Sequence, residues 1–442
     1  MNGTASPRMP GVVRWSMYIL FFSLCFENFD LFGGSAFFTI SKMAGILFAV
    51  ACFWKAPRVF ISQHWTIQAL TWLWLVLAIA TMIAELSHPI PRSAFVGVML
   101  SLTQCFMLYW LCVNIFRDRQ TTAYGLLAFA YSAALMSLLM KLGIGRQTIQ
   151  ESEFFQRVSF LGANSNMIAI WAATGIIIVT SLVTGNQLRW GSWRYGLLLF
   201  ITPMLTVMTE SGSRGAAISL VLAMVCFLFA GGSWYKRSLI GIAVLGVYLG
   251  LFYISKDSVL VDRLQRTANT GTMAGREEIW PSALKMIAQK PLLGWGMWNP
   301  EDYNENPAIY LGALQGADPH NVFLAFFVFG GALAGLPLLG MSGWWLYHTF
   351  SGRRGPWGIL PFSLAVFMLS TMFKAGGFYV TKIPWIILAF ATAACMPYAQ
   401  PKTRRMRQKN RQAASKGSQL SEPPPNPVPT THGPSGRRMI NF

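Results

Sequence analysis

Residues 316–350 read GADPHNVFLAFFVFGGALAGLPLLGMSGWWLYHTF. After Asp318 no Lys, Arg, Asp or Glu occurs until Arg353. A bilayer core about 30 Å thick takes roughly 20 apolar residues of helix, so the run from 320 to 350 reads as a membrane-spanning helix. Asp318 and Pro319 have the character of an N-cap and a first-turn proline. The histidine between them and the apolar run, one of five in the chain, is where a polar loop meets the bilayer.

The same pattern recurs along the sequence. The chain of 442 residues is 54% hydrophobic and 12% charged, with a mean hydropathy of +0.44, which suits a polytopic membrane protein and not a soluble domain. Apolar runs predict spans at 14–29, 38–54, 64–85, 94–116, 121–142, 164–185, 194–210, 214–234, 237–255, 320–350, 356–374 and 383–399. The runs are continuous and do not alternate, which argues against a closed β-barrel. The expected class is therefore all-α, a polytopic integral membrane protein of about 12 transmembrane helices with one large outer loop containing amphipathic helices. Its expected organisation is helices 1–9 in 1–255, the loop in 256–319, helices 10–12 in 320–399 and a basic tail in 400–442. The first span follows Arg14, has no A-x-A-like cleavage site, and carries Leu24 where a lipoprotein signal needs a small residue before Cys25; it reads as retained.

Lys and Arg set the orientation. With the N-terminus cytoplasmic, every inner loop is basic: Lys55 and Arg58, Arg117 and Arg119, Arg189 and Arg194, Lys236 and Arg237, Arg353 and Arg354, then the tail. The outer loops mix signs, and both termini fall inside. Much of the net charge of +19 lies in the tail, where Pro401–Phe442 holds nine Lys/Arg against one acid in a Pro-rich, apolar-poor sequence. Such a segment is expected to be disordered and drawn to anionic lipid, not to nucleic acid. The six cysteines all fall in expected spans and form no CxxC pair on a loop, so neither a disulfide framework nor a thiolate metal site is indicated.

Polar groups able to converge collect on the outer side. His64 and His348 end at inner helix termini, His432 is in the tail, and His88 sits in the proline turn SHPIP, leaving His320. A helix N-terminus disfavours imidazolium and keeps such a ring ready to accept a proton. Asn321 stands beside it. In TESGSRGAAISL, 209–220, Arg214 opens a helix after a two-glycine hairpin, a ready anion site. In GREEIWPSALKMIAQKPLLGWGMW, 275–298, Arg276 starts a stretch whose Trp280, Ala283, Leu284, Ile287 and Ala288 recur at helical spacing, predicting an amphipathic helix on the membrane or over the bundle. In RVSFLGANSNMIA, 157–169, Arg157, Asn164 and Asn166 enter the sixth span from outside, and Lys42 stands in the outer third of the second, where a lysine must snorkel or find an anion. No D-x-D occurs on an outer loop; the nearest substitute is ESE at 151–153, and no metal site or other cofactor is expected.

Taken in order, RVSFLGANSN, SGSRGA, GREEIW…PLLGWG and HN followed by FGGALAG make residues 155–340 resemble the O-antigen ligase and O-antigen polymerase superfamily, and most of all its ligase branch. The resemblance implies a glycosyltransferase of lipopolysaccharide biosynthesis in the bacterial inner membrane. Its site would face the periplasm, its donor would be a glycan on undecaprenyl diphosphate and its acceptor the lipid A core. It implies that His320 is the family's essential histidine, orienting or deprotonating the acceptor hydroxyl, and that Arg214 and Arg276 are its essential arginines, neutralising the diphosphate. Arg157, Lys42, Asn164, Asn166 and Asn321 are candidate substrate-binding residues. The implied chemistry is a metal-independent, in-line displacement at the anomeric carbon with inversion. An O-antigen polymerase and a protein O-oligosaccharyltransferase share these residues, but one dominant outer loop of about sixty residues is more ligase-like. A transporter would be expected to show internal repeats and midplane ionisable residues.

Overall fold

The computed structural model describes residues 9–29, 39–56, 65–86, 92–152, 155–185, 187–188, 190–229, 234–254, 259–270, 276–296, 319–375 and 381–395. His88, Asp318, Glu153 and the tail lie outside the described residues. Among the described residues a helix falls on each expected span: α1 (Gly11–Ser23), α2 (Ile40–Lys55), α3 (Trp65–Leu86), α4 (Arg92–Ile115), α5 (Arg119–Lys141), α6 (Ser165–Thr184), α7 (Ile201–Ser211), α8 (Arg214–Val225), α9 (Trp234–Ile254), α12 (Val322–Ser351), α13 (Leu360–Met372) and α14 (Lys382–Cys395). The loop between α9 and α12 contributes α10 (Val259–Thr270) and α11 (Arg276–Gln289). Three stretches, Arg119–Lys141, Ser165–Thr184 and Val322–Arg354, are by themselves long and apolar enough to cross a membrane, and shorter apolar helices accompany them.

Residues Arg8–Met396 form one compact unit. At its centre is α6, in which every residue but Asn166, Met167 and Thr184 is buried, as a helix apolar all round must be. It packs against α5, α7, α8 and α13, while α3 lies along α12, α4 along α14 and α1 along both α2 and α5. Small residues permit the approach. A Cβ on Gly175 of α6 would stand 2.6 Å from Met204 of α7 and 3.1 Å from Ala133 of α5, so nothing larger fits without a shift.

Polar ties sort the loops onto two ends. At one, Arg119 Nη2 donates to the Pro356 carbonyl (3.0 Å), Gln187 Nε2 to the Trp357 carbonyl (3.3 Å) and Arg194 Nη1 to the Gly185 carbonyl (2.6 Å). At the other, Arg146 pairs with Glu210 at 3.3 Å and Lys382 pairs with Glu27. These are the loops expected on the inner and outer sides respectively.

Three local features differ from the expectation. The segment expected as a plain outer loop forms an antiparallel hairpin, β1 (Arg146–Ser152) with β2 (Phe155–Phe160), in which Thr148 faces Val158 and Ile149 faces Arg157. Gln147 Oε1 accepts from the Gly162 N–H at 3.2 Å, closing the hairpin against the turn that leads into α6. The class is thus all-α apart from this ribbon, whose seven- and six-residue strands are too short for a strong alternation signal.

The second difference lies in the opening stretch. The run 320–350 is not one regular helix, because Gly330 (φ −125°, ψ 15°) and Gly331 (φ 60°, ψ −152°) break α12. The segment after α11 fills the break: Trp295 N donates to the Val328 carbonyl (2.7 Å), Gly296 N to the Phe329 carbonyl (2.8 Å), and Ala332 N to the Pro291 carbonyl (2.7 Å). Non-helical backbone inside an apolar bundle is tolerated where groups freed on both sides of the break find partners, as these do. A Cβ on Gly331 would stand 2.3 Å from the Leu292 backbone and one on Gly294 2.5 Å from the Val328 carbonyl oxygen. PLLGWG and FGG are therefore two halves of one joint.

The third concerns the face of α11. It lies over the bundle against α12 through Ile279, Ala283 and Met286, which are buried, whereas Leu284 is 56% exposed and Ala288 is exposed. The i, i+4, i+7 stripe that packs is rotated from the expected one, since Trp280 spends its indole N–H on a loop carbonyl instead of filling the core.

Candidate functional site

The hairpin SGSRGA is built for a tight reversal. Gly212 ends α7 in the left-handed region (φ 65°, ψ 18°), and the Ser213 hydroxyl caps α8 by accepting from the Ala216 N–H at 3.5 Å. Arg214 is then the first residue of α8 and reaches across to α10, donating through Nη1 to the Arg263 carbonyl (3.4 Å) and to the Thr267 hydroxyl. Arg263 reaches back, its Nη1 donating to the Gly212 carbonyl at 3.4 Å. The two arginines lace α10 onto the hairpin.

Arg276 opens α11 as Arg214 opens α8. Its Nη2 donates to the Lys374 carbonyl at 2.9 Å, just past the end of α13, while its Nε is buried with no hydrogen-bond partner among the described residues. Burial, and next the charge of Arg263, hold the Arg276 pKa below its ordinary value, with exposed Glu277 opposing them. Burial and the charge of Arg276 likewise lower the Lys374 ammonium. Arg214 with Arg263 and Arg276 with Lys374 are each linked through a backbone carbonyl, and the charge of Arg263 acts on Arg276, so the four form one group. Two like charges about 6 Å apart repel by roughly 3 kcal/mol at an effective dielectric of about 20, so such a group favours an anion among its members. Its two helix N-termini add partial positive charge in the same place.

Aromatic packing ties the segment that carries His320 to α11 and the end of α13. Trp280 Nε1 donates to the Pro319 carbonyl at 3.0 Å, and Phe373 lies between the Trp280 ring (6.1 Å) and the Phe323 ring (5.8 Å). Phe373 immediately precedes Lys374, so α11, the end of α13 and the start of α12 meet here. The cap of α12 is Asn321, whose buried Oδ1 accepts from the Phe323 and Leu324 N–H groups at 3.0 and 3.2 Å. This corrects the expected arrangement: His320 precedes the cap and is not in the first helical turn. Its backbone is in the left-handed region (φ 49°), a conformation uncommon outside Gly, Asn, Asp and His, and the residue is exposed. The loop thus leaves His320 exposed at the start of α12.

The other expected residues divide. Asn164 caps α6, its Oδ1 accepting from the Asn166 N–H at 2.8 Å, and both asparagines are exposed beside the hairpin, which also packs against α10. The left-handed pair Leu161 (φ 47°) and Gly162 (φ 79°) makes the turn that brings β2 to this cap. Arg157 pairs with Ile149 in the ribbon, and its side chain lies outside the described residues. Lys42 is not with the arginines; it stands in the first turn of α2 within electrostatic reach of Lys382 and Glu27. An apolar cavity of about 380 Å³ between Phe22, Phe26, Phe29, Ile40, Phe160 and Leu161 is lined by none of these cations. Arg263 and Lys374 were missed by sequence reading. Arg263 sits in an ordinary amphipathic helix, and Lys374 is the last residue of the expected span 356–374.

Two comparisons bear on this arrangement. Residues 198–339, which contain Arg214, Arg263, Arg276 and His320, match the family model described as O-antigen ligase. Over 195 residues, 42% of this chain, the sequence is 29% identical to an "O-antigen ligase" of Pseudomonas aeruginosa, and the match spans 44% of that protein's length. The chain, whose described residues include helices long and apolar enough to cross a membrane, is thus similar to the O-antigen ligases over residues 198–339, and it resembles the ligase branch of their superfamily most.

Proposed function

We propose that this chain is an O-antigen ligase. It moves an O-antigen glycan from undecaprenyl diphosphate onto the lipid A core, in a bacterial inner membrane crossed twelve times, with both termini cytoplasmic and the site facing the periplasm. The observation that carries the reading is the group of Arg214, Arg263, Arg276 and Lys374 at the starts of α8 and α11, to which the loop carrying His320 is tied through Pro319 and Trp280. A diphosphate leaving group needs cations, an acceptor hydroxyl needs a base, and both substrates are amphiphiles that arrive laterally.

In this reading Arg214 and Arg276 hold the diphosphate, each donor contributing about 2.7–4 kcal/mol to stabilising the charge that develops there. His320 takes the acceptor proton as the acceptor oxygen bonds to the anomeric carbon from the face opposite the departing phosphate, so the configuration inverts. No step is routed through a metal ion, and transfer by the purified protein should survive EDTA. Asn164, Asn166 and Arg157 on the neighbouring ribbon and cap are candidates for the glycan, while Asn321 sets the loop that carries His320.

The test is the glycolipid profile of cells expressing His320→Ala from an otherwise deleted locus. The variant should insert and fold, since an exposed imidazole buries little area. Lipid A core should then lack O-antigen while long chains persist on undecaprenyl diphosphate. Lipid A core bearing a single repeat unit would indicate a polymerase, and unchanged glycolipids with stable protein would remove the histidine from the chemistry.

A further inference from the structure

Lys374 belongs to none of the sequence motifs and lies beyond the matched region 198–339. It follows the end of α13, its N–H donating to the Thr371 carbonyl at 2.9 Å, and its side chain is half-buried. The stem runs along the start of α8: a Cβ on Gly215 would stand 3.5 Å from the Lys374 Cβ and 3.7 Å from its Cδ. Its carbonyl meanwhile anchors the Arg276 guanidinium at 2.9 Å. The lysine therefore bridges the two arginine-bearing helix starts, and no ion pair forms on its ammonium among the described residues.

We infer that Lys374 is a direct ligand of the leaving diphosphate and takes up the charge released when the glycan departs. The inference rests on the diphosphate-linked donor proposed above. As the acceptor oxygen bonds to the anomeric carbon, the bond from that carbon to the phosphate oxygen breaks with its electron pair on the oxygen. The acceptor proton passes to His320, and the diphosphate, formerly a diester, gains a negative charge as a monoester. The three guanidiniums are pinned by backbone carbonyls or a threonine hydroxyl, whereas an ammonium on a four-carbon stem can follow the new charge. An interaction that strengthens as the bond breaks raises turnover and not merely affinity.

The test uses the full chain in detergent with farnesyl diphosphate and farnesyl monophosphate as probes, beside transfer kinetics with donor and acceptor. Lys374→Gln leaves the carbonyl that anchors Arg276 in place. It should weaken farnesyl diphosphate about tenfold or more, collapse the preference over the monophosphate, and lower kcat more than it raises the donor KM. Lys374→Arg, at an unchanged melting temperature, should recover most of the binding. If the wild type prefers the diphosphate and Arg276→Gln abolishes that preference, yet Lys374→Gln stays within twofold of wild type, the inference is overturned while the functional reading stands. A loss in Lys374→Arg as large as that in Lys374→Gln would overturn it in the same way. If the wild type itself shows no preference and Arg276→Gln changes nothing, the diphosphate reading fails, and the inference fails with it.

Discussion

Lys374 and Lys382 stand eight residues apart in sequence, at the same end of the bundle, and are treated in opposite ways. Lys382 is buried, paired with Glu27 and within 3.2 Å of the Ser41 hydroxyl, with Lys42 close by. Lys374 is half-buried beside Arg276, with Arg214 and Arg263 in the same group, and the described carboxylate acting on Arg276 is the exposed Glu277. The first is a closed structural pair: a charge can be buried when its counter-charge comes with it. The second is an arrangement of cations oriented by carbonyl oxygens. The difference separates a charge that holds the fold from charges proposed to receive an anion.

The comparison would break first at the arginines. Lysine at 214 or 276 keeps the charge but not the fork that reaches two acceptors, so Arg214→Lys and Arg276→Lys should each reduce transfer by about 10²-fold or more, with melting temperature little changed. Full activity in both would make the group a solvated surface. Glu27→Gln should do the reverse. It leaves the buried Lys382 without its partner and should lower stability by about 3 kcal/mol, read by thermal unfolding in detergent, while activity per folded molecule stays near wild type. Adding Lys382→Met should recover much of the loss. A Glu27→Gln protein that is stable but inactive would move the functional group to the wrong cluster.

The smallest effect is one of pH. Burial, and then the Arg276 charge, lower the Lys374 pKa, so its ammonium loses its proton at a lower pH than an ordinary lysine. Affinity for farnesyl diphosphate should therefore begin to fall as pH rises toward the lysine range, and Lys374→Arg should flatten that limb. An alkaline limb identical in wild type and Lys374→Arg would assign it to another group.

Much of the fold was legible because an apolar run is decisive: among the described residues each expected span carries a helix. The break in α12 was not legible, since it depends on Leu292 and Gly294 approaching from a segment some forty residues earlier. The ribbon at 146–160 was missed for want of length. Of the proposed site, Arg214 and Arg276 stand out in the sequence because each opens a helix after a hairpin or loop. Lys374 does not, because what distinguishes it from Lys382 is that no carboxylate pairs with it among the described residues, a fact about packing between helices far apart in the chain.

The central claim is that the cation group and His320 together move a glycan off a polyprenyl diphosphate. It is tested most directly by reconstituting the purified full chain in liposomes with undecaprenyl-diphosphate-linked glycan and lipid A core, and separating the products by mass. The account predicts glycan on lipid A core and free undecaprenyl diphosphate in equal amounts, with EDTA present, and a loss of about 10²–10⁴-fold for His320→Ala. Elongated glycan remaining on the carrier with lipid A core untouched, or undiminished transfer by His320→Ala, would contradict it.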